Sequence, residues 1–341
     1  AKAKYNATGP MVYTHYPPGP DWICGFLTTM FGKGEYGKFR LFPLILTAIA
    51  LAVLGLSVLR VLSPGAGFVF LSVLYSTPLV TKGSIVLYYQ GYALALLLIQ
   101  IGLYISKFLH SNQNGGRFDA YFLFALGFLQ GWLSFDYFFL VSFSVVPFVF
   151  LAGGQIQWPS HRFKIVYYLA PGFGFALAHA IHFLQVVVYY GSFTQALNDF
   201  LGAASYRAAG ALPDGKGISP ILNLKNYLLQ YPFDERVFGN MWVFVILGAV
   251  LAILIARAKV KTGISAEISE GRGEIFAVVS GFVVSLLWVI VMVNHSEIHF
   301  DFISRHLFLA AMVVMLVLAL QIGGRRARCV DGEGDTVVSV R

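Results

Sequence analysis

Apolar residues run along this chain in long stretches, and the charged residues sit in the gaps between them. A helix that crosses a bilayer needs about 20 apolar residues. Stretches of that kind occupy 41–62, 66–81 (short, with Pro78 inside), 85–105, 163–190, 242–256, 275–293 and 307–322. The apolar run 118–152 is too long for one crossing, because at ~1.5 Å per residue it far exceeds a core about 30 Å thick. It is expected to fold as a hairpin of two spans, broken at Trp132-Leu133-Ser134-Phe135-Asp136, where a serine and an acid interrupt the run. The pattern predicts an all-α polytopic bundle of about nine spans. Its parts are a leading loop at 1–39, six spans within 40–190, a long loop at 191–240, three spans within 241–322 and a tail at 323–341.

Composition narrows the function classes. Hydrophobic residues make up 57% of the 341 and charged residues 12%, against about 25% charged in soluble domains. A soluble enzyme, a disordered chain and a coiled coil are excluded, and an integral, multi-pass protein of the inner or plasma membrane is expected. The formal charge of +8 would prompt a nucleic-acid reading in a soluble protein. Here the basic residues flank apolar runs and read as membrane anchors, so no nucleic-acid partner is expected. Cys24 and Cys329 fall on opposite sides of the bilayer in this topology and give neither a disulfide nor a metal site. The chain starts with Ala1 in a loop, and Lys2 to Tyr16 reads like the middle of a domain, as though a leading segment were missing.

The density of Lys and Arg orients the bundle. Arg325, Arg326 and Arg328 follow the last span directly, and Arg257, Lys259, Lys261 and Arg272 share one short loop; both groups are placed in the cytoplasm. The unusual polar segments then collect outside. They are Tyr13-Thr14-His15-Tyr16-Pro17-Pro18-Gly19-Pro20-Asp21-Trp22, the loop 191–240 and the run from Asn294 to His306. The long loop holds apolar residues enough, at 193–206 and 218–231, for short interfacial helices.

Prolines fix the backbone of the first segment and hold His15, Tyr16 and Asp21 in set directions. The third segment interleaves His295, His299 and His306 with Glu297, Asp301 and Arg305. On a helix His295 and His299 share a face at i, i+4, a spacing that also suits a metal. Arg305 opposes a divalent cation and suits phosphate, so an anion or substrate site is expected and neither a metal nor a cofactor. The competing reading is a solvated loop with interfacial histidines. His179 and His182 lie inside a span, where ionisable groups are costly; a neutral, hydrogen-bonded pair facing the bundle is expected. Asp136 is either a cap in the hairpin or a residue facing an outer cavity. Arg40 opens the first span as an anchor or a phosphate contact. No nucleotide-binding loop or Ser/His/Asp arrangement is present.

The string Tyr13 to Pro20, followed by Phe31-Gly32 and then by Phe39-Arg40 at the mouth of a span, resembles GT-C glycosyltransferases of the dolichyl-phosphate-mannose-protein mannosyltransferase and aminoarabinose transferase type. The Gly131-Trp132 hairpin and the last two spans, joined by a His- and Arg-bearing segment, are similar as well. The resemblance implies inverting transfer of a sugar from a polyprenyl-phosphate donor to an extracytoplasmic acceptor, with membrane lipid and the lipid-linked donor as partners. It carries over the Pro17-Pro18 turn and Arg40. The family's general base is an acid upstream of the Pro-Pro motif, and no Asp or Glu precedes Pro17 here. Asp21 is the nearest acid but follows the motif, so the catalytic residue is not assigned. A donor phosphate at the outer interface needs cations at span ends, and Arg40, Arg207, Arg236 and Arg305 are available. His15, His295, His299, Asp301 and His306 join them by side and chemistry, with Asp301 at i−4 from Arg305. The alternatives are a noncatalytic GT-C-like subunit of a larger membrane complex, and a transporter.

Overall fold

The computed structural model describes residues 18–32, 39–75, 89–110, 117–152, 161–209, 219–227, 241–262, 265–298 and 304–323. These residues are almost wholly helical and include no strand. The elements are α1 (Gly19–Phe31), α2 (Leu41–Val61), α3 (Pro64–Tyr75), α4 (Tyr89–Ile105), α5 (Arg117–Leu133), α6 (Phe138–Phe143) and α7 (Val145–Leu151). There follow α8 (His161–Tyr190), α9 (Phe193–Ala209), α10 (Pro220–Lys225), α11 (Met241–Thr262), α12 (Ser265–Val291), α13 (Val293–Ile298) and α14 (Phe308–Gly323). A wider π-helical turn, Ser106–His110, extends α4, and a tight 3-10 turn, Ser304–Leu307, leads into α14.

Four segments are long and apolar enough to cross a membrane: Leu41–Val61, Gly91–Leu109, His161–Tyr190 and Ile268–Val291. That makes the chain a membrane protein by length and composition. Shorter apolar helices lie in other expected runs, at Pro64–Tyr75, Phe118–Leu133, Phe138–Leu151 and Phe308–Gly323, and α11 covers the run 242–256. The hairpin breaks where the serine and acid interrupt the apolar run, since α5 ends at Leu133 and α6 starts at Phe138. Its second limb is itself broken at Ser144, between α6 and α7. The first apolar stretch of the long loop is helical in α9, and the second carries α10 within its described part, with 218 and 228–231 outside the described residues.

Without water in the hydrocarbon core, packing and interhelical hydrogen bonds hold helices together. The closest approach joins α5 to α8 through small residues. A methyl group added at Gly127 would collide with the backbone of Pro171, one at Gly174 with the carbonyl of Phe124, and one at Gly131 would come within 2.7 Å of the Phe175 carbonyl oxygen. Polar contacts tie the middle of the bundle together. Gln130 Nε2 donates to Gln100 Oε1 at 2.8 Å, and Gln100 Nε2 donates to the Val141 carbonyl at 2.8 Å and to Tyr104 Oη at 2.9 Å. These bonds join α4, α5 and α6 at full burial.

Contacts sort the helix ends into two groups. At one end the tips of α1, α2, α4 and α5 meet in a cluster of Ile23, Leu46, Tyr92 and Leu133, close to the turn 134–137. At the other end Lys107 pairs with Asp119, Phe150 stacks on Phe276, and Lys259 pairs with Glu274. We call these the hairpin end and the basic end.

Candidate functional site

The turn Ser134-Phe135-Asp136-Tyr137 is the centre of the hairpin end. Its backbone is held locally, because the Asp136 N–H donates to Ser134 Oγ at 3.2 Å. The Asp136 side chain reaches α13, where His295 Nε2 lies 3.1 Å from Asp136 Oδ1 with both side chains buried. A carboxylate can only accept, so Nε2 carries the proton and Nδ1 is the basic nitrogen whenever the ring is neutral. Burial alone would raise the Asp136 pKa, but the hydrogen bond from His295 and the positive field of His295, His306 and Arg207 outweigh it. The carboxyl is held below its ordinary range.

Three further groups surround this pair. Arg207, near the end of α9, is buried with its guanidinium carbon 4.8 Å from the centre of the Phe135 ring. The neighbouring Tyr206 carbonyl accepts from Asn294 Nδ2 at 2.9 Å, which fixes the end of α9 against α13. His306, in the turn before α14, is 1% exposed and sits against the rings of Tyr137 at 5.1 Å and Trp288 at 5.9 Å. Burial lowers its pKa to about 4, against the pull of Asp136. Neither ring nitrogen of His306 has a hydrogen-bond partner, nor does Trp288 Nε1. Buried polar groups are nearly always paired, so this concentration of unspent donors and acceptors sets the hairpin end apart.

Aromatic side chains form the walls. Phe135 meets Trp288 at 5.3 Å and His179 at 5.5 Å, both edge-on. The long-loop helices complete the cover: Asn223 Nδ2 donates to the Val289 carbonyl at 3.1 Å and Tyr227 Oη to the Ser296 carbonyl at 2.7 Å, docking α10 and its extension over the joint of α12 and α13.

The sequence expectations meet this geometry unevenly. His295 and His306 are buried, so these two are not solvated interfacial histidines, and Arg207 is buried with them. Pro18 precedes α1 at the same end, where Gly19 lies against the Trp132 carbonyl and Trp22 meets Trp132 edge-on at 6.1 Å. Asp21 is exposed in the first turn of α1, and Arg40 is exposed at the start of α2. His15, Tyr16, Pro17, Arg236, His299 and Asp301 lie outside the described residues, and Arg305 is placed by its backbone alone. The expected hydrogen-bonded pair of His179 and His182 is not found at His179 Nε2, which has no partner; that ring packs on Phe175 at 4.8 Å instead. Among the described residues no three His, Cys, Asp or Glu side chains converge as a metal-ligand set.

The Asp136–His295 pair was missed at the level of sequence, where each partner was weighed alone. The topology held the signal, since the hairpin turn and the segment after α12 fall at the same end once the crossings alternate. Compared with family models, with curated proteins and with solved structures, the chain matches none.

Proposed function

We propose that this chain is a multi-pass glycosyltransferase of the inner or plasma membrane, with about nine crossings, that moves a sugar from a polyprenyl-phosphate donor to an acceptor outside the cytoplasm. One observation carries the reading: Pro18, Asp136, Arg207, His295 and His306, from five separate stretches of the chain, gather at one end of an apolar helix bundle. A lipid-linked donor keeps its phosphate at the membrane surface and its chain in the core, so a site for it must sit at span ends. In this reading Arg207 and the single N–H of neutral His306 face the phosphate as it gathers negative charge, and Arg305, the residue before His306, is the expected bidentate partner. In the transfer, the acceptor hydroxyl oxygen bonds to the anomeric carbon, the carbon–oxygen bond to phosphate breaks, and the hydroxyl proton passes to His295 Nδ1. Asp136 orients His295 and balances the imidazolium that forms. In this proposal the pair serves as the base.

The test is turnover of a radiolabelled polyprenyl-phosphate sugar in membranes containing the protein. His295→Gln is expected to lower turnover by about 10² to 10⁴ with donor binding retained. Arg305→Ala is expected to weaken donor binding by roughly tenfold or more, and Arg305→Lys to restore part of it, because a point charge lacks the guanidinium fork. Unchanged turnover in His295→Gln would remove the base assignment.

A noncatalytic membrane subunit is the second reading, and the burial of Asp136, Arg207, His295 and His306 favours it. A buried ionic cluster can simply fix α9, α13 and the hairpin turn to one another. In that case His295→Gln changes thermal stability, and the chain copurifies in fixed ratio with a catalytic partner.

A further inference from the structure

The first helix, α1, divides into three arcs, each repeating at i, i+4 and offset from the next by one residue. Ile23 and Leu27 face the bundle: Leu27 is buried, and Ile23 packs on a cluster of Tyr92, Leu96, Leu126 and Leu133. Asp21, Gly25 and Thr29 make an exposed polar arc. Between the two runs Trp22, Phe26 and Met30, which are apolar and yet 66%, 60% and 59% exposed. Single apolar residues on a surface are ordinary, but an aligned row of large ones marks a contact face. Length and neighbours say what the contact is. At 13 residues and ~1.5 Å each, α1 is too short to cross a core about 30 Å thick. Charges also bracket it in the sequence, with Asp21 in its first turn and Lys33, Glu35 and Lys38 after it. Its neighbour α2 is long and apolar enough to span, and the opening turns of α2 expose Leu41, Phe42, Ile45 and Ile49. Leu46 of α2 packs on the same cluster as Ile23, which sets α1 beside those turns.

We infer that α1 lies along the membrane surface at the hairpin end, with Trp22, Phe26 and Met30 inserted among the lipid chains of that leaflet. The inference rests on the membrane-spanning part of the reading above and not on glycosyl transfer. A helix in the interface keeps its apolar face at the boundary of headgroups and acyl chains and its polar face in water. The order of the arcs matches that setting, with the bundle on one side of the apolar row and the polar arc of Asp21 on the other. The occupant is lipid, because a spanning helix keeps lipid around its opening turns and α1 lies beside those of α2. Trp22 suits that depth, since an indole ring is favoured at the headgroup level. The helix is also fastened to the hairpin. A methyl group added at Gly19 would collide with the Trp132 carbonyl, and Trp22 meets Trp132 edge-on at 6.1 Å. Through this contact α1 ties the depth of the turn 134–137, and of Asp136 within it, to the membrane surface.

Spin labels test this, placed one at a time in a Cys24→Ser, Cys329→Ser background with the protein in phosphatidylcholine vesicles. Each label is read by its collisions with oxygen, which concentrates in hydrocarbon, and with a nickel chelate, which stays in water. Phe26→Cys and Met30→Cys are expected to favour oxygen. Gly25→Cys, where an added side chain meets open space, is expected to favour nickel. Ile45→Cys on α2 reports the membrane reading by itself. Oxygen preference at 45 with nickel preference at 26 and 30 overturns the placement of α1 and leaves the spans intact. Few collisions with either reagent at 26 and 30 overturn lipid as the occupant and mark a second copy or another protein segment. Nickel preference at 45 overturns the membrane reading itself. Brominated phosphatidylcholine supplies a measurement without cysteine variants. It should quench more tryptophan fluorescence in the unaltered protein than in Trp22→Phe, and equal quenching of the two overturns the placement.

Discussion

At the basic end, ion pairs join near neighbours along the chain. Lys107 meets Asp119, and Lys259 meets Glu274 at 2.8 Å and Glu270 at 3.8 Å, each across a single turnaround. One member of each pair keeps access to water, since Asp119 and Lys259 are 40% and 28% exposed. At the hairpin end Asp136 reaches His295, 159 positions away, and both side chains are buried. The first arrangement closes helical hairpins and leaves its charges partly solvated, where a pair contributes little. The second takes the Asp136 carboxylate almost fully out of water, which costs several kcal/mol unless geometry and hydrogen bonds offset it. The contrast sets a buried, long-range polar cluster at the hairpin end, where the proposed chemistry would sit, against short-range and partly solvated ion pairs at the basic end.

The sharpest way to break the contrast is to remove one partner at each end. Asp136→Ala strands His295 and Arg207 in a buried site and is expected to cost about 3 to 5 kcal/mol, read as a lowered midpoint of thermal unfolding in detergent. Acid comes next. His306 has a pKa of about 4 in the folded protein, below the ordinary value near 6.5, so between these values the unfolded chain binds the extra proton. Stability should therefore be full above pH ~6.5 and fall as the pH drops toward ~4, by on the order of 3 kcal/mol. The depressed Asp136 acts in the same direction at still lower pH, because its stabilisation is lost on protonation. His306→Gln should flatten the slope between pH 6.5 and 4, and an unchanged slope would mean that another group titrates there.

A smaller effect is expected where the two ends share their frame. Gly127→Ala forces α5 away from the Pro171 backbone, at a cost of roughly 1 to 3 kcal/mol. It should loosen both ends together, visible as faster hydrogen exchange at the hairpin turn and beside Lys107. The smallest effect belongs to Glu270→Gln, which removes the exposed partner of Lys259 at 3.8 Å. Lys259 still pairs with Glu274 at 2.8 Å, so the change should stay within about 1 kcal/mol and leave the proposed sugar transfer untouched.

Much of the fold could be read along the chain. The hairpin break at 132–136, the helices in the loop 191–240 and the placement of the apolar runs all follow from local composition. Less could be read of its regularity. The second limb of the hairpin parts at Ser144 into α6 and α7, next to the buried Gln100 network, and the turn at Ser106–His110 widens. Pro147 signals the first departure, because it cannot donate to the Phe143 carbonyl four residues back, whereas no proline signals the second. The site was legible as residue types and as a side of the bundle. His295, His306 and Arg207 were named for their chemistry, while Asp136 was left between a cap and a residue facing an outer cavity, and its pairing with His295 was invisible.

The reason lies in what each level of organisation constrains. A bilayer has one thickness, so the length of an apolar run and the position of its interrupting polar residues are properties of the chain alone, and they fixed the helical class and the approximate spans. Which polar residues meet depends on the rotation of each helix about its axis and on how closely two backbones approach. Those were decided by glycines such as Gly127 and Gly174 pressed against facing carbonyls, and by α9 and α10 folding back across the end of α12. Only after those contacts form do Asp136, Arg207, His295 and His306 share one buried space, because the field that each exerts on the others extends a few ångströms through protein and not along the sequence.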